Sequence, residues 1–173
     1  VTRARRGTEA YFGTMCDLRE AVSKRDYVRA ARLARENLQY IPAFVRSTKR
    51  SFGSFDITSI PALEVGGTML ALVGDDEGLD EMRRIVASSR ALEPWAYEVE
   101  EHEENRKLLA AILEAVRQNP GCRQTNVKSL VGMEDGRRVS TLIAWLEKAG
   151  RITREKQGKT YAVWPAGAVP AAE

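Results

Sequence analysis

The sequence predicts a mainly α-helical protein of two small domains: an antiparallel helical bundle, then a compact helical domain ending in a small β-hairpin. Three observations carry this. Apolar residues recur every three to four positions over most of the chain, the spacing of one helix face. A short hairpin pattern with an apolar base and a basic tip is confined to residues 152–163, after Gly150. The 173 residues lie between one large domain and two small ones, and their charge falls in blocks that favour the second.

The net charge of +3 conceals this segregation. Residues 1–50 hold 12 Lys and Arg against 5 Asp and Glu, residues 51–105 hold 3 against 13, and residues 106–164 hold 12 against 5. Basic segments attract polyanions and acidic ones repel them, so phosphate contacts are expected at the basic ends. No run approaches the roughly 18 apolar residues of a membrane span. The Arg-rich start leads into no apolar signal region, so a cytoplasmic protein without membrane contact is expected. Arg outnumbers Lys 20 to 7, which points to a GC-rich bacterial genome.

Residues 1–7 have no periodicity and read as a mobile basic arm. From Thr8, a candidate N-cap, Tyr11, Met15, Leu18 and Val22 mark a helix face. Asp26 is placed to cap a second helix whose stripe is Val28, Ala31, Leu33, Ala34 and Leu38, with Pro42 ending or redirecting it. The polar stretch 46–60 predicts a short helix and a loop, with Phe44, Phe52 and Phe55 as anchors. Met69, Leu70, Leu72 and Val73 precede the acidic turn GDDEG at 74–78, and Leu79, Met82, Ile85 and Val86 follow it.

Asp26-Tyr27 at the turn, Ala30 four residues on and Pro42 at the close resemble a tetratricopeptide-type unit, and residues 61–95 are a weaker echo. The spacing from Pro42 to Pro94 is 52 residues where that repeat has about 34, so the resemblance implies a helical bundle of that type (residues 8–97), not a regular array. Such a bundle implies protein binding or self-association, and a homodimer would present two copies of whatever follows it.

The run EVEEHEE at 98–104 reads as a solvated helix start or linker, which sets the domain boundary at 98–105. His102 is the only histidine, and Cys16 and Cys122 match no ligand spacing, so neither a metal site nor a cofactor is expected. One histidine makes no nucleophile–base set. GKT at 158–160 resembles a phosphate-loop tail, but Thr153 stands where that motif needs glycine. An enzyme is not expected, and no catalytic residue is assigned.

In residues 106–164, Leu108, Leu109, Ile112, Leu113 and Val116 mark a first helix, stopped by NPG at 119–121. Thr125 is placed to cap a short second helix. A third runs from Gly136 to Ala149, with Val139, Leu142, Ile143 and Leu146 on its core face. Its opposite face carries Arg137, Thr141, Ala144 and Lys148, flanked by Arg138 and Ser140. Acidic Glu134 and Asp135 just before this helix read as capping residues. With Gln157-Gly158 as a two-residue turn, the hairpin pairs Ile152 with Val163, Arg154 with Tyr161 and Lys156 with Lys159. Opposed lysines repel unless an anion lies between them, which places a phosphate at the tip.

The order helix, short helix, turn, helix, basic hairpin, with the runs TNVKSLVG and RRVSTLIAWLEKAGRITREKQGKTYAVW, resembles bacterial winged helix-turn-helix regulators. The resemblance implies a transcriptional regulator bound to double-stranded DNA at the nucleoid. Arg137, Arg138, Ser140 and Thr141 would then lie near the end of the third helix that leads into the major groove, Arg154, Lys156 and Lys159 on the neighbouring backbone, and Thr125 and Lys128 at phosphates, with Lys148 a further DNA contact on the helix's exposed face. Residues 165–173 are read as a tail. In layout, helical repeats followed by a winged helix also resemble proteasome-lid-type scaffold modules, where that domain contacts protein; the basic hairpin tip and the Arg137-Arg138 pair favour nucleic acid.

Overall fold

The computed structural model describes the backbone of residues 2–168 and the side chains from Gly7 onward. Among the described residues it contains eight α-helices, a 3-10 helix and one three-stranded antiparallel sheet. The chain divides into two compact units, Val1–Glu103 and Glu104–Glu173. The boundary falls inside a helix, because the acidic run 98–104 is part of Ala96–Gln118.

The first unit opens with α1 (Thr2–Ser23). Residues 2–7 are thus helical where an arm was expected, and Thr8 lies inside the helix where a cap was expected. Gly7 shows why the helix reaches back: a Cβ there would stand 3.1 Å from that of Ala43, so this first stretch is already packed. Asp26 does cap α2 (Tyr27–Leu38), accepting from the Arg29 amide at 3.1 Å. The buried stripe of α2 is Ala30, Ala31, Leu33, Ala34 and Leu38; Val28, expected in it, is 75% exposed in the first turn. Pro42 opens α3 (Ile41–Phe52), where its missing amide costs nothing, so it begins a helix where it was expected to close one. Of the three phenylalanine anchors only Phe44 is buried; Phe55 is half-buried and Phe52 is exposed.

Helices α4 (Val65–Val73) and α5 (Asp76–Ala87) flank a turn capped by Asp75, which accepts from the Gly78 amide at 2.9 Å. The acidic turn is not merely solvated. Arg35 of α2 reaches Asp75 at 3.3 Å and Glu77 at 2.8 Å, tying α2 to α5. A 3-10 helix (Arg90–Trp95) leads into α6 (Ala96–Gln118). His102 is buried, donating from Nε2 to the Leu63 carbonyl at 2.8 Å. It lies flat against α4, so a Cβ on Gly67 would stand 2.0 Å from His102 Cδ2.

The second unit is built from the later part of α6, then β1 (Cys122–Arg123), α7 (Gln124–Leu130), α8 (Gly136–Lys148), β2 (Ile152–Gln157) and β3 (Thr160–Pro165). The sheet order is β1-β3-β2. Its core joins Leu109, Ile112, Val116, Val127, Leu142, Ile143, Leu146, Ile152, Ala162 and Val163. Strand β1 pairs Cys122 with Val163 and was not anticipated, since two residues are too few to show alternation.

The hairpin register also differs from expectation. Ile152 pairs with Pro165, Arg154 with Val163, Lys156 with Tyr161 and Gln157 with Thr160, so the turn residues are Gly158 and Lys159. Gly158 has φ +61°, the value a II′ hairpin needs at its first central position, where glycine alone is comfortable. That requirement moves the turn one residue along and replaces the expected Lys156–Lys159 pair.

Two outcomes are expected in the first unit. Gly67→Ala should lower unfolding free energy in urea by about 1–3 kcal/mol or more through overpacking against His102, and adding His102→Ala should cost less than the two changes summed. Burial, with the nearby Glu64 charge, pushes the Tyr11 phenol up to about 12 from 10.0. Its protonated form is therefore favoured in the fold, a contribution intact below pH 10 and lost as pH rises through 12. Chemical denaturation across that window should show stability falling in the parent, and falling less in Tyr11→Phe.

Candidate nucleic-acid interface

Helix α8 begins at Asp135, whose carboxylate accepts from the amides of Arg137 at 2.9 Å and Arg138 at 3.1 Å. This is the capping role expected of the acidic turn: it satisfies two orphan amides and puts negative charge at the positive end of the helix dipole. Val139, Leu142, Ile143 and Leu146 are buried, which turns Arg137, Ser140, Thr141 and Lys148 to solvent. The Thr141 hydroxyl donates to the Arg137 carbonyl at 3.1 Å, leaving its oxygen free only to accept.

Two of the expected contact residues are occupied within the unit. Arg138 folds back onto α6: its Nε and a terminal nitrogen donate to Asn105 Oδ1 at 3.1 and 2.9 Å, and the same nitrogen reaches Glu104 at 3.1 Å. Asn105 is buried, so the guanidinium supplies the donors its carbonyl needs. Arg154 is held more firmly. It donates to Glu147 Oε2 from two nitrogens, one at 2.8 Å, and to Gln124 Oε1 at 3.2 Å, with its guanidinium 4.9 Å from the Tyr161 ring centre. The hydrogen bond to Glu147 holds its pKa above the ordinary arginine range. Arg154 thus clamps β2 to α8 and to the start of α7.

The remaining cations stay unpaired. Among the described residues, Lys128, Arg137, Lys148, Lys156 and Lys159 are all exposed, and none has a carboxylate within ion-pair distance. The Lys128 stem runs beside the start of α8, its Cδ 3.5 Å from where a Cβ on Gly136 would stand, which brings it next to Arg137. Thr125 is exposed in the first turn of α7, two residues past the cap position at Arg123, so its capping role is not found. With Lys156 opposite Tyr161 and Lys159 in the turn, the mutual repulsion that argued for a bound phosphate is absent; both lysines nevertheless stand at the hairpin tip.

Arg123 on β1 and Arg151, just before β2, are exposed and unpaired as well. Sequence reasoning passed over both, Arg123 because its strand was missed. Among the described residues no group of three His, Cys, Asp or Glu side chains is placed to hold a metal ion. Burial pushes the Cys122 thiol up, away from the thiolate that nucleophilic chemistry needs.

Compared with family models, curated proteins and solved structures, the chain matches none.

Arg154→Ala should therefore act on stability: the second unit is expected to lose about 1–3 kcal/mol, since Glu147 is left without its partner. Lys156→Ala, one pleat away, should stay within about 0.5 kcal/mol of the parent in the same denaturation series.

Proposed function

We propose that the chain is a DNA-binding protein, a transcriptional regulator acting at the nucleoid, whose residues 104–168 form a winged helix domain. The observation that carries the proposal is an order of elements combined with a charge pattern. Helix, strand, helix, helix and hairpin follow one another with sheet order β1-β3-β2, and the unpaired cations gather on the exposed face of α8 and at the hairpin tip. In that arrangement α8 is the element that enters the major groove and the hairpin rests on the adjacent backbone.

Arg137 is then the base-reading candidate, since its guanidinium is free to bond bidentately to guanine. Ser140 and the Thr141 oxygen line the same face. Lys128, Lys148, Lys156, Lys159 and Thr125 are suited to phosphate contacts, which fix register without reading sequence. Arg138 and Arg154 act indirectly, by holding α8 on α6 and β2 on α8.

The first unit is proposed as a tetratricopeptide-like bundle for dimerisation or partner binding. What supports this is the packing of α1 on α2, of α2 on α4 and of α4 on α5, with α3 as an added helix. A dimer would present two reading helices to two half-sites.

A gel-shift series on random duplex DNA at several salt concentrations tests the proposal. Arg137→Ala should weaken binding about tenfold, and Lys156→Ala with Lys159→Ala should flatten the salt slope by about 2. Binding that both variants leave untouched would refute it.

A further inference from the structure

The first unit contains a cavity of about 660 Å³ between α1, α3 and the loop after α3. This lies within the roughly 300–1,000 Å³ typical of small-molecule sites. Its wall is aromatic. Tyr11 stacks on Phe44 with ring centres 4.2 Å apart and planes within 9° of parallel, and Met15 adds a flexible apolar surface. Phe12 and Phe52 stand at its edge, 47% and 79% exposed, large rings that folding leaves in water.

Several polar groups around these walls have no partner among the described residues. Arg19 is exposed and has no carboxylate within ion-pair distance among the described residues, its neighbour Glu20 being taken by Lys24. Tyr11 is 2% exposed, yet its hydroxyl bonds to no described residue. The hydroxyls of Ser47, Thr48 and Ser51 on α3 are likewise unbonded. Tyr11 lines the cavity with its hydroxyl unbonded, so an oxygen placed there can accept from it. Asp56 is the one acid in the lining, and its Oδ2 already accepts from Ser54 at 2.6 Å.

We infer that this cavity binds a small molecule with a flat apolar body and a carboxylate. The rings of Phe12 and Phe52 cover the body, Arg19 pairs with the carboxylate, and the Tyr11 hydroxyl donates to a ligand oxygen. Aromatic walls alone would also suit a cation. The free guanidinium of Arg19 repels a cation and favours an anion; Asp56 keeps its charge while accepting from Ser54, and the Glu64 charge acts on Tyr11, so the charge of the ligand carboxylate is placed at Arg19 and not at Tyr11.

Three probes sharing one ring system decide it: 1-naphthoate, neutral 1-naphthamide and cationic 1-naphthylmethylammonium, each titrated calorimetrically into the full chain. The carboxylate should bind at least about tenfold tighter than the other two. Arg19→Gln, at an exposed position, should abolish that preference, and Tyr11→Phe should weaken binding severalfold while circular dichroism stays unchanged. The inference is overturned if the ammonium binds as well as the carboxylate, if the preference survives Arg19→Gln, or if no probe binds at millimolar concentration. In the last case, sedimentation in which Phe52→Ser dissociates a dimer would assign the surface to a second copy of the chain. None of these readouts involves nucleic acid, so the result stands apart from the DNA reading.

Discussion

The first unit depends on how closely the backbones of α2 and α4 approach. A Cβ on Gly66 would stand 2.9 Å from the Cβ of Ala34, and neither helix places a large side chain at that contact. Small residues at such a crossing let two helices share a dense interface, in which dispersion contacts accumulate over many atoms. Once α2 and α4 are that close, their other faces are committed. Helix α2 must take α1 on its free side, and Gly67 is left as the only width available for His102. The imidazole fills that width and finds its hydrogen-bond partner in the Leu63 carbonyl. Glu64, one residue on, accepts from the Ile60 amide, the Ser59 hydroxyl and the Trp95 indole, so the polar groups introduced at this junction are paired.

Charge obeys a parallel economy. The chain carries 20 arginines and 7 lysines, and among those described the folded structure shows two kinds of cation. Arg35 is bound to the acidic start of α5, Arg83 to Glu103 and Asp80, Arg138 to Asn105 and Glu104, and Arg154 to Glu147. Planar guanidinium groups suit such multidentate work, in which one side chain satisfies several oxygens. Arg137, Lys128, Lys156 and Lys159 form the second kind, left in water. The acidic middle of the sequence thus has a structural use, in that it is partly neutralised by arginines inside its own unit. The basic C-terminal segment has fewer acids to meet, and a free positive surface remains.

The limits of the sequence follow from the same division. Helix faces were legible because their period is local: Leu18, Leu33, Leu38, Leu70, Met82, Ile112, Leu142 and Leu146 all lie in the core where spacing placed them. Caps at Asp26 and Asp135 were legible for the same reason, since a cap acts over three residues. Pairing between distant residues was not. Arg138 looks as free as Arg137 on a helical wheel, and what separates them is Asn105, 33 residues away. Arg154 looked like a strand cation until Glu147 and Gln124 were brought to it by the turn after α8 and by β1. The close approach at Gly67 carried no signal either, because a glycine in a helix reads only as a weakness until its neighbour is known.

The hairpin shows how one such misreading alters a functional argument without removing it. With lysines directly opposed, repulsion alone would have demanded an anion at the tip, and binding would have relieved strain in the fold. In the actual register Lys156 faces Tyr161, and Lys159 sits beside Gly158 in the turn, so the hairpin is stable with its charges solvated. The proposed attraction for a polyanion would then rest on counterion release and long-range field, terms that grow with the number of unpaired cations. The shift also pairs Arg154 with Val163 and leaves its guanidinium to Glu147, so the base of the hairpin is fixed to α8 while the tip stays free. A rigid base beneath an exposed basic tip keeps the lysines at a set place relative to α8, which the proposed contact with a regularly spaced phosphate backbone would require.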